Sequence, residues 1–177
     1  MRAIEAKTFS GYDALRQAEY PKPQAAKDKV LIRVTAAGVI EDAGESGLAL
    51  GSRVMFTGPY GVAENGAWQE WLLVKPEHLA LVPQAIDDVV AATLPVDESG
   101  QSTRVAFRRC GRARMAGFSL FAQSATVIAA AWQDILPLIV NGSVRPIVER
   151  AYPFGQAREA LRHLIEDRPF GKVVLAG

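Results

Sequence analysis

The sequence predicts a mainly β fold with a smaller helical part, an α+β architecture, and three observations support this. Before residue 84, short segments rich in β-branched and aromatic residues follow one another closely, with turn residues between them. After residue 84, apolar residues recur mainly at helical spacing. The pattern G-x-G-x-x-G, which opens a dinucleotide-binding βαβ unit, occurs nowhere in the chain. We therefore expect no complete dinucleotide-binding domain.

The first half of the chain is predicted to form short strands. The clearest is residues 30–34, where every second residue is a β-branched apolar one. The pairs Gly58-Pro59 and Asn65-Gly66 are typical of turns and separate successive strands. The predicted strands of this half are residues 3–9, 30–34, 53–56, 68–74 and 79–82.

The second half is predicted to contain three helices, at residues 86–94, 124–140 and 155–167. Ser124 is a good N-cap for the second helix, and Pro137 inside it predicts a kink or an early end. Two strands, at residues 144–150 and 171–175, complete the pattern. Residues 97–114 show no apolar periodicity, which indicates a linker.

Composition excludes several classes of function. The net charge of +1 gives no general electrostatic attraction to nucleic acid or to an anionic membrane. Polar residues and Pro137 interrupt the longest apolar run, residues 125–140, which falls short of a membrane span. The single cysteine, Cys110, excludes an intramolecular disulfide and suits a reducing compartment. We expect a cytoplasmic protein.

Several blocks, in this order along the chain, resemble the medium-chain dehydrogenase/reductase superfamily, and specifically its zinc-independent quinone-oxidoreductase branch. Residues 30–39 resemble a barrel strand ending in A-A-G-V, and G-S-R-V at residues 51–54 resembles the G-D-R-V turn. The closing segment, residues 152–175, contains the typical F-G-K-V-V-L. The resemblance implies a GroES-like, partly open β-barrel plus C-terminal helices. In the family, a Rossmann lobe is inserted between the two parts of the barrel lobe.

Two departures from this family pattern indicate internal deletions. After Val39 the chain runs directly into residues 40–45, which resemble a later strand of the family, V-V-E-x-G. After residue 96, a short arginine-rich junction stands where the Rossmann repeat would begin. The resulting division is a barrel lobe (1–96), a junction or linker (97–114), a remnant strand and helix of the nucleotide-binding lobe (115–143) and a return segment completing the barrel lobe (144–177).

The residues themselves offer few candidates for chemistry. Only Cys110, His78 and His163 are candidate soft metal ligands, and their spacing matches no zinc motif, so we expect no zinc. His78 is interpreted as an ordinary surface histidine. Neighbouring arginines favour a reactive thiol at Cys110, which is either a catalytic nucleophile or, as the residues favour, an exposed oxidisable thiol. These arginines are either an anion-binding patch or a solvated segment, and the sequence favours the second.

Two functions remain open. The resemblance implies an NADPH-dependent reductase of quinones or activated carbonyl compounds, with weak cleft candidates at Tyr60, Trp68, Phe118 and Lys172. None of these four matches a catalytic motif. The alternative is a non-catalytic barrel remnant that acts as a dimerising or binding module. A strand from Met115 to Phe121 has lost the sheet that it would border, which predicts a homodimer formed through that strand.

Overall fold

The computed structural model describes residues 1–8, 10–61, 64–95, 103–109, 112–118 and 123–177, with residues 103–109 and 112–118 described by their backbone. The predicted α+β class is confirmed, since within these residues the chain forms open sheets, without a closed barrel, and three α-helices. The strands are β1 (Arg2–Ala6), β2 (Leu15–Glu19), β3 (Val30–Val34), β4 (Gly38–Asp42), β5 (Arg53–Phe56), β6 (Trp71–Val74), β7 (Leu79–Leu81), β8 (Thr103–Arg109), β9 (Arg112–Phe118), β10 (Val148–Pro153) and β11 (Lys172–Ala176). The helices are α1 (Asp88–Thr93), α2 (Ala125–Val140) and α3 (Ala157–Glu166).

The centre of the fold is a five-stranded antiparallel sheet with the order β6–β3–β4–β5–β7. Its inner face buries a cluster of apolar side chains from every strand except β7. Val30 and Ile32 of β3 are fully buried in this cluster, as the period-two pattern predicts, but Leu31 between them is also buried, which the pattern did not predict. Tyr60, from the loop after β5, belongs to the same core.

Smaller sheets extend this sheet into an open, barrel-like wall. The β1–β2 hairpin is attached by the Ile4 N–H, which donates to the Trp68 carbonyl over 2.7 Å. The parallel pair β10–β11 is attached at its end, where the Gly177 N–H donates to the Thr35 carbonyl over 2.7 Å. The C-terminal segment thus contacts the end of β3.

Helix α1 is fixed to the sheet by a half-buried ion pair. Asp87 caps the helix by accepting the Val90 N–H, as expected for an acidic residue at a helix start. The next residue, Asp88, accepts hydrogen bonds from Arg53 Nη2 at 2.6 Å and from Thr35 Oγ1 at 2.8 Å. The first turn of α1 is therefore held against β5 and the end of β3.

Helix α2 begins as predicted and packs along one face. Ser124 caps it by accepting the Val127 N–H. Trp132, Leu136 and Ile139 pack on a second apolar cluster beneath α1. The helix continues through Pro137 to Val140, so the early end suggested by the proline does not occur.

The structure differs from the sequence prediction in several segments. Strand β4, Gly38–Asp42, is not among the strands predicted from the pattern, and β10 covers Val148–Pro153 and not residues 144–150. Strand β2 was not predicted, because four of its five residues are polar or small. The segment 97–114, interpreted as a linker, contains β8 and part of β9, which pair as an antiparallel hairpin. The predicted strand from Met115 corresponds to the end of β9, which is paired with β8 over residues 112–118, so one of its edges is occupied. Phe121 lies outside the described residues.

Candidate active site

A cleft of about 730 Å³ opens between the central sheet, the two helices α1 and α2, and the start of β11. The end of β5 and the loop after it form one wall, with Met55, Phe56 and Thr57. The first turns of α2 and residues 170–174 form the opposite wall. The lining is mainly apolar with a few polar groups, which is the composition typical of small-molecule sites.

Two of the four candidates from the sequence lie on this cleft. Trp68 is 39% exposed and borders the cleft from the loop before β6. Lys172 borders it from the first residue of β11. The resemblance to the family was the only signal for either residue, and the structure brings both to one cavity.

Of the other two candidates, Tyr60 lies away from the cleft wall and the side chain of Phe118 is not described. Tyr60 is 1% exposed and belongs to the core of the sheet, not to the cleft wall. Burial raises the pKa of its phenol above the usual value, and the hydrogen bond from the Lys75 N–H opposes that shift. The side chain of Phe118 lies outside the described part of the structure, where only the backbone of β9 is given.

The structure adds one cleft residue, His78, which the sequence suggested only as a metal ligand and which was interpreted as a surface histidine. It lies in the turn before β7 and lines the cleft, half buried. Its Nδ1 is 2.9 Å from the Tyr60 hydroxyl, and the two rings meet edge to face at 5.7 Å. Tyr60 is eighteen residues earlier in the chain, so only the tertiary fold pairs them.

Gly58 makes room for this histidine. It has a positive φ of 151°, and a Cβ at this position would lie 2.8 Å from His78 Nδ1 and 2.8 Å from the Tyr60 ring. Contacts this short do not occur in real structures, so any side chain here would displace the imidazole or the phenol. The glycine at residue 58 is therefore required for close approach as well as for its backbone conformation.

A polar pocket lies apart from the cleft, beside α3. It contains His163, whose Nδ1 is 2.6 Å from Asp167 Oδ2, together with Arg150 and Arg162. His163 and His78 therefore face different cavities. Among the described residues, no three His, Cys, Asp or Glu side chains converge on a point where a metal ion could bind. Cys110 lies outside those residues.

Most ion pairs among the described residues join two side chains, whereas Glu41 pairs with both Lys22 and Arg33. Four glutamates, Glu5, Glu41, Glu64 and Glu70, have a pKa below the usual value because each accepts hydrogen bonds from a basic residue or a neighbouring N–H or O–H group. None of the four lines the cleft. Within the described helices, none is long and apolar enough to cross a lipid bilayer.

One family model and several solved structures match this chain. Residues 74–175, more than half of the chain, match the zinc-binding dehydrogenase family. No curated protein sequence matches. A human synaptic vesicle membrane protein VAT-1 homolog-like protein superposes with a TM-score of 0.77 at 15% identity, covering 99% of this chain and 98% of that one. A probable oxidoreductase of Mycobacterium abscessus gives 0.76 at 16% identity, covering 100% and 99%.

A third solved structure is the Escherichia coli quinone oxidoreductase complexed with NADPH. It superposes with a TM-score of 0.75 at 12% identity, and the comparison covers 100% of both chains. At these identities the likeness establishes a shared fold.

Proposed function

Because the chain belongs to the zinc-binding dehydrogenase family, within the medium-chain dehydrogenase/reductase superfamily, we propose that it is an NADPH-dependent oxidoreductase that reduces quinones or activated carbonyl compounds. The observation that carries the proposal is the cleft of about 730 Å³ bordered by Trp68 and Lys172. Its size and apolar lining suit a planar ring system, and its few polar groups suit the orientation of a carbonyl oxygen.

The cleft also offers features that suit the cofactor. NADPH, when bound, would supply the hydride for the reduction. Lys172 places positive charge on the cleft wall, and the N-terminal turn of α2, at Ala125, adds the positive end of a sixteen-residue helix. Trp68 offers an aromatic face of the kind on which a nicotinamide ring stacks. The chain lacks the glycine fingerprint for a pyrophosphate, so these groups would have to hold the cofactor.

Zinc has no part in the proposed reaction. The described residues do not supply a ligand set, since His78 and His163 face separate cavities. The chain therefore shares the fold of the zinc-binding dehydrogenase family, but its described residues do not form a zinc site. No step of the proposed reduction is assigned to a metal.

The proposal is tested by oxidation of NADPH with duroquinone as the electron acceptor. All four ring carbons of this quinone that could react with a thiol carry methyl groups, so Cys110 does not consume it. We expect saturable turnover in the wild type and a KM for duroquinone about tenfold higher in Trp68→Ala, because a lost apolar contact of that size contributes about 1.4 kcal/mol.

Trp71→Phe is the matched control. Trp71 contacts Lys22 Nζ at 4.5 Å and is absent from the cleft lining, so its replacement should leave KM unchanged. Absence of NADPH oxidation with a folded wild-type protein would refute the proposed activity. If Trp68→Ala and Trp71→Phe raised the KM for duroquinone equally, the substrate would bind outside the cleft beside Trp68.

A second function, self-association as a binding or dimerising module, is favoured by one observation. Strands β8 and β9 pair only with each other among the described strands, which leaves an outer edge on the hairpin. We propose that two copies pair through the strand from Met115 to Phe121.

Light scattering tests this second proposal directly. We expect a dimer at tens of micromolar protein and an unchanged dimer in Leu138→Lys, because that residue lies on α2 and outside the proposed strand contact. A monodisperse wild-type monomer would refute it. A dimeric wild type together with a monomeric Leu138→Lys would mean that the interface lies on α2 and not on the strand.

A further inference from the structure

We propose that His78 Nε2 is the hydrogen-bond donor that binds the carbonyl oxygen of the substrate, and that Tyr60 is the positioning residue that makes this nitrogen a donor. The inference rests on the proposed function for its substrate class, a planar conjugated carbonyl compound such as a quinone. It assigns a role to the hydrogen-bonded pair of Tyr60, in the buried core, and His78, on the cleft wall.

Two contacts with Tyr60 orient the imidazole of His78, and the backbone around it limits where the residue can move. Its Nδ1 is 2.9 Å from the Tyr60 hydroxyl, and the Tyr60 ring meets it edge to face. The Gly58 backbone leaves no space for a Cβ beside Nδ1. The backbone carbonyl of His78 accepts the Thr57 N–H at 3.0 Å, which fixes the main chain of this turn to β5. With Nδ1 turned to the core, Nε2 is the ring nitrogen left for the cleft.

The hydrogen bonds of the Tyr60 hydroxyl determine which ring nitrogen of His78 carries the proton. The Tyr60 oxygen accepts the Lys75 N–H at 2.9 Å, and its own O–H needs an acceptor because the residue is fully buried. His78 Nδ1 is the acceptor within reach among the described residues. A neutral imidazole that accepts at Nδ1 carries its proton on Nε2. The buried tyrosine therefore makes His78 a donor toward the cleft.

The surroundings of this N–H define what it can bind. A tyrosine of ordinary pKa is already protonated at neutral pH and burial raises the pKa of Tyr60 further, so its O–H stays available to donate to His78 Nδ1. Met55, Phe56 and Trp68 line the same cleft as His78, together with the charged Glu77, and its mainly apolar lining favours a flat, weakly polar ring system. A donor beside a carbonyl oxygen stabilises the negative charge that develops on that oxygen as the carbonyl is reduced.

The first test is the tautomer of each histidine, read by ¹⁵N NMR of the full-length protein. The chain has two histidines, which His163→Gln assigns. We expect His78 protonated on Nε2, and His163 protonated on Nδ1, where Asp167 Oδ2 accepts. In Tyr60→Phe the His78 preference should be lost while that of His163 stays. A wild-type His78 protonated on Nδ1 alone would overturn the inference.

The second test is duroquinone binding without NADPH, followed through quenching of Trp68. We expect His78→Phe to weaken binding between about twofold and tenfold, the range that corresponds to one neutral hydrogen bond. His78→Gln places an amide N–H near the position of Nε2 and should retain part of the affinity. His163→Gln is the control and should bind normally. Equal affinity in wild type and His78→Phe would overturn the inference.

These readouts separate the inference from the proposed function. Quinone binding that depends on His78, without any NADPH oxidation, would support the carbonyl site and refute the reductase. Normal NADPH oxidation, with a KM for duroquinone that His78→Phe leaves unchanged, would support the reductase and overturn the role of His78.

Discussion

Gly58 and His78 are in contact so close that a Cβ on the glycine would lie 2.8 Å from His78 Nδ1. The contact joins the end of the central sheet to the turn that carries the cleft histidine. It also lies on the same side of the imidazole as the Tyr60 hydroxyl. A single backbone position thus determines whether the histidine can reach its buried partner.

Gly58→Ala should displace His78 from Tyr60. The side-chain contact and the positive φ should together lower the free energy of unfolding by about 1–3 kcal/mol. The Nε2 tautomer of His78 and its contribution to quinone binding should be lost. Urea unfolding and ¹⁵N NMR measure these effects. Gly47→Ala is the control for backbone strain alone, since Gly47 has a φ of 72° and open space around it. If Gly58→Ala and Gly47→Ala lost the Nε2 tautomer of His78 equally, the close contact between residue 58 and His78 would not be the cause.

Gly171→Ala should disturb the cleft from its opposite wall. A Cβ here would lie 2.8 Å from the Glu149 N and 3.0 Å from the Ile147 carbonyl oxygen, and backbone atoms cannot move aside cheaply. We expect the β10–β11 pair to shift, with a loss of about 1–3 kcal/mol in the free energy of unfolding and weaker binding at Lys172. Gly155→Ala, which meets nothing closer than 4.0 Å, should be nearly neutral. Urea titration of both variants gives the comparison.

Asp88→Asn should loosen α1. The substitution removes the charge that accepts from Arg53 at 2.6 Å and leaves a half-buried guanidinium without its carboxylate. Hydrogen bonds to charged groups contribute about 1.5–3 kcal/mol, and partial exposure places this one at the lower end of that range. Thermal unfolding should show a lower Tm for Asp88→Asn. A smaller effect is expected for Asp87→Asn, which keeps a good N-cap residue type. An unchanged Tm for Asp88→Asn would mean that α1 is held by its apolar contacts.

Stability should fall on acidification. The Arg2 N–H and then its guanidinium lower the pKa of Glu70, and Tyr20 and Arg16 lower that of Glu5. A lowered pKa in the folded state stabilises the protein above the unfolded-state value of about 4.3, and that contribution is lost as the pH falls through the folded-state value. The urea midpoint should therefore decrease between about pH 5 and pH 3.

A variant isolates the contribution of one carboxylate to this pH dependence. Glu70→Gln should be less stable than wild type at neutral pH and should lose less stability on acidification. Glu19→Gln, at an exposed position of β2, is the control. If Glu70→Gln loses as much stability on acidification as the wild type, the Arg2–Glu70 interaction does not contribute.

Local patterns predicted those elements whose signal is contained in their own residues. Strand β3 was predicted with its observed ends because its alternation alone specifies a half-buried strand. Ser124 marked the start of α2 because an N-cap bonds within its own turn. Strand β2 was missed because its pairing with β1, rather than any pattern of its own, makes it a strand.

The candidate site was only partly predictable for a related reason. Trp68 and Lys172 were found through resemblance to a family, and they border one cleft. Tyr60 was expected at the cleft and lies in the core, because the loop after β5 turns inward. Nothing in the sequence indicated that His78 lies at the cleft, since only the fold brings Tyr60 and Gly58 next to it.

The measurement that tests the central claim most directly is an NADPH titration followed by tryptophan fluorescence. The central claim is that the cleft beside Trp68 binds the cofactor. It predicts saturable quenching at micromolar NADPH in wild type and in Trp71→Phe, and loss of most of that quenching in Trp68→Phe. No quenching up to millimolar NADPH, or quenching that persists in Trp68→Phe, would contradict it.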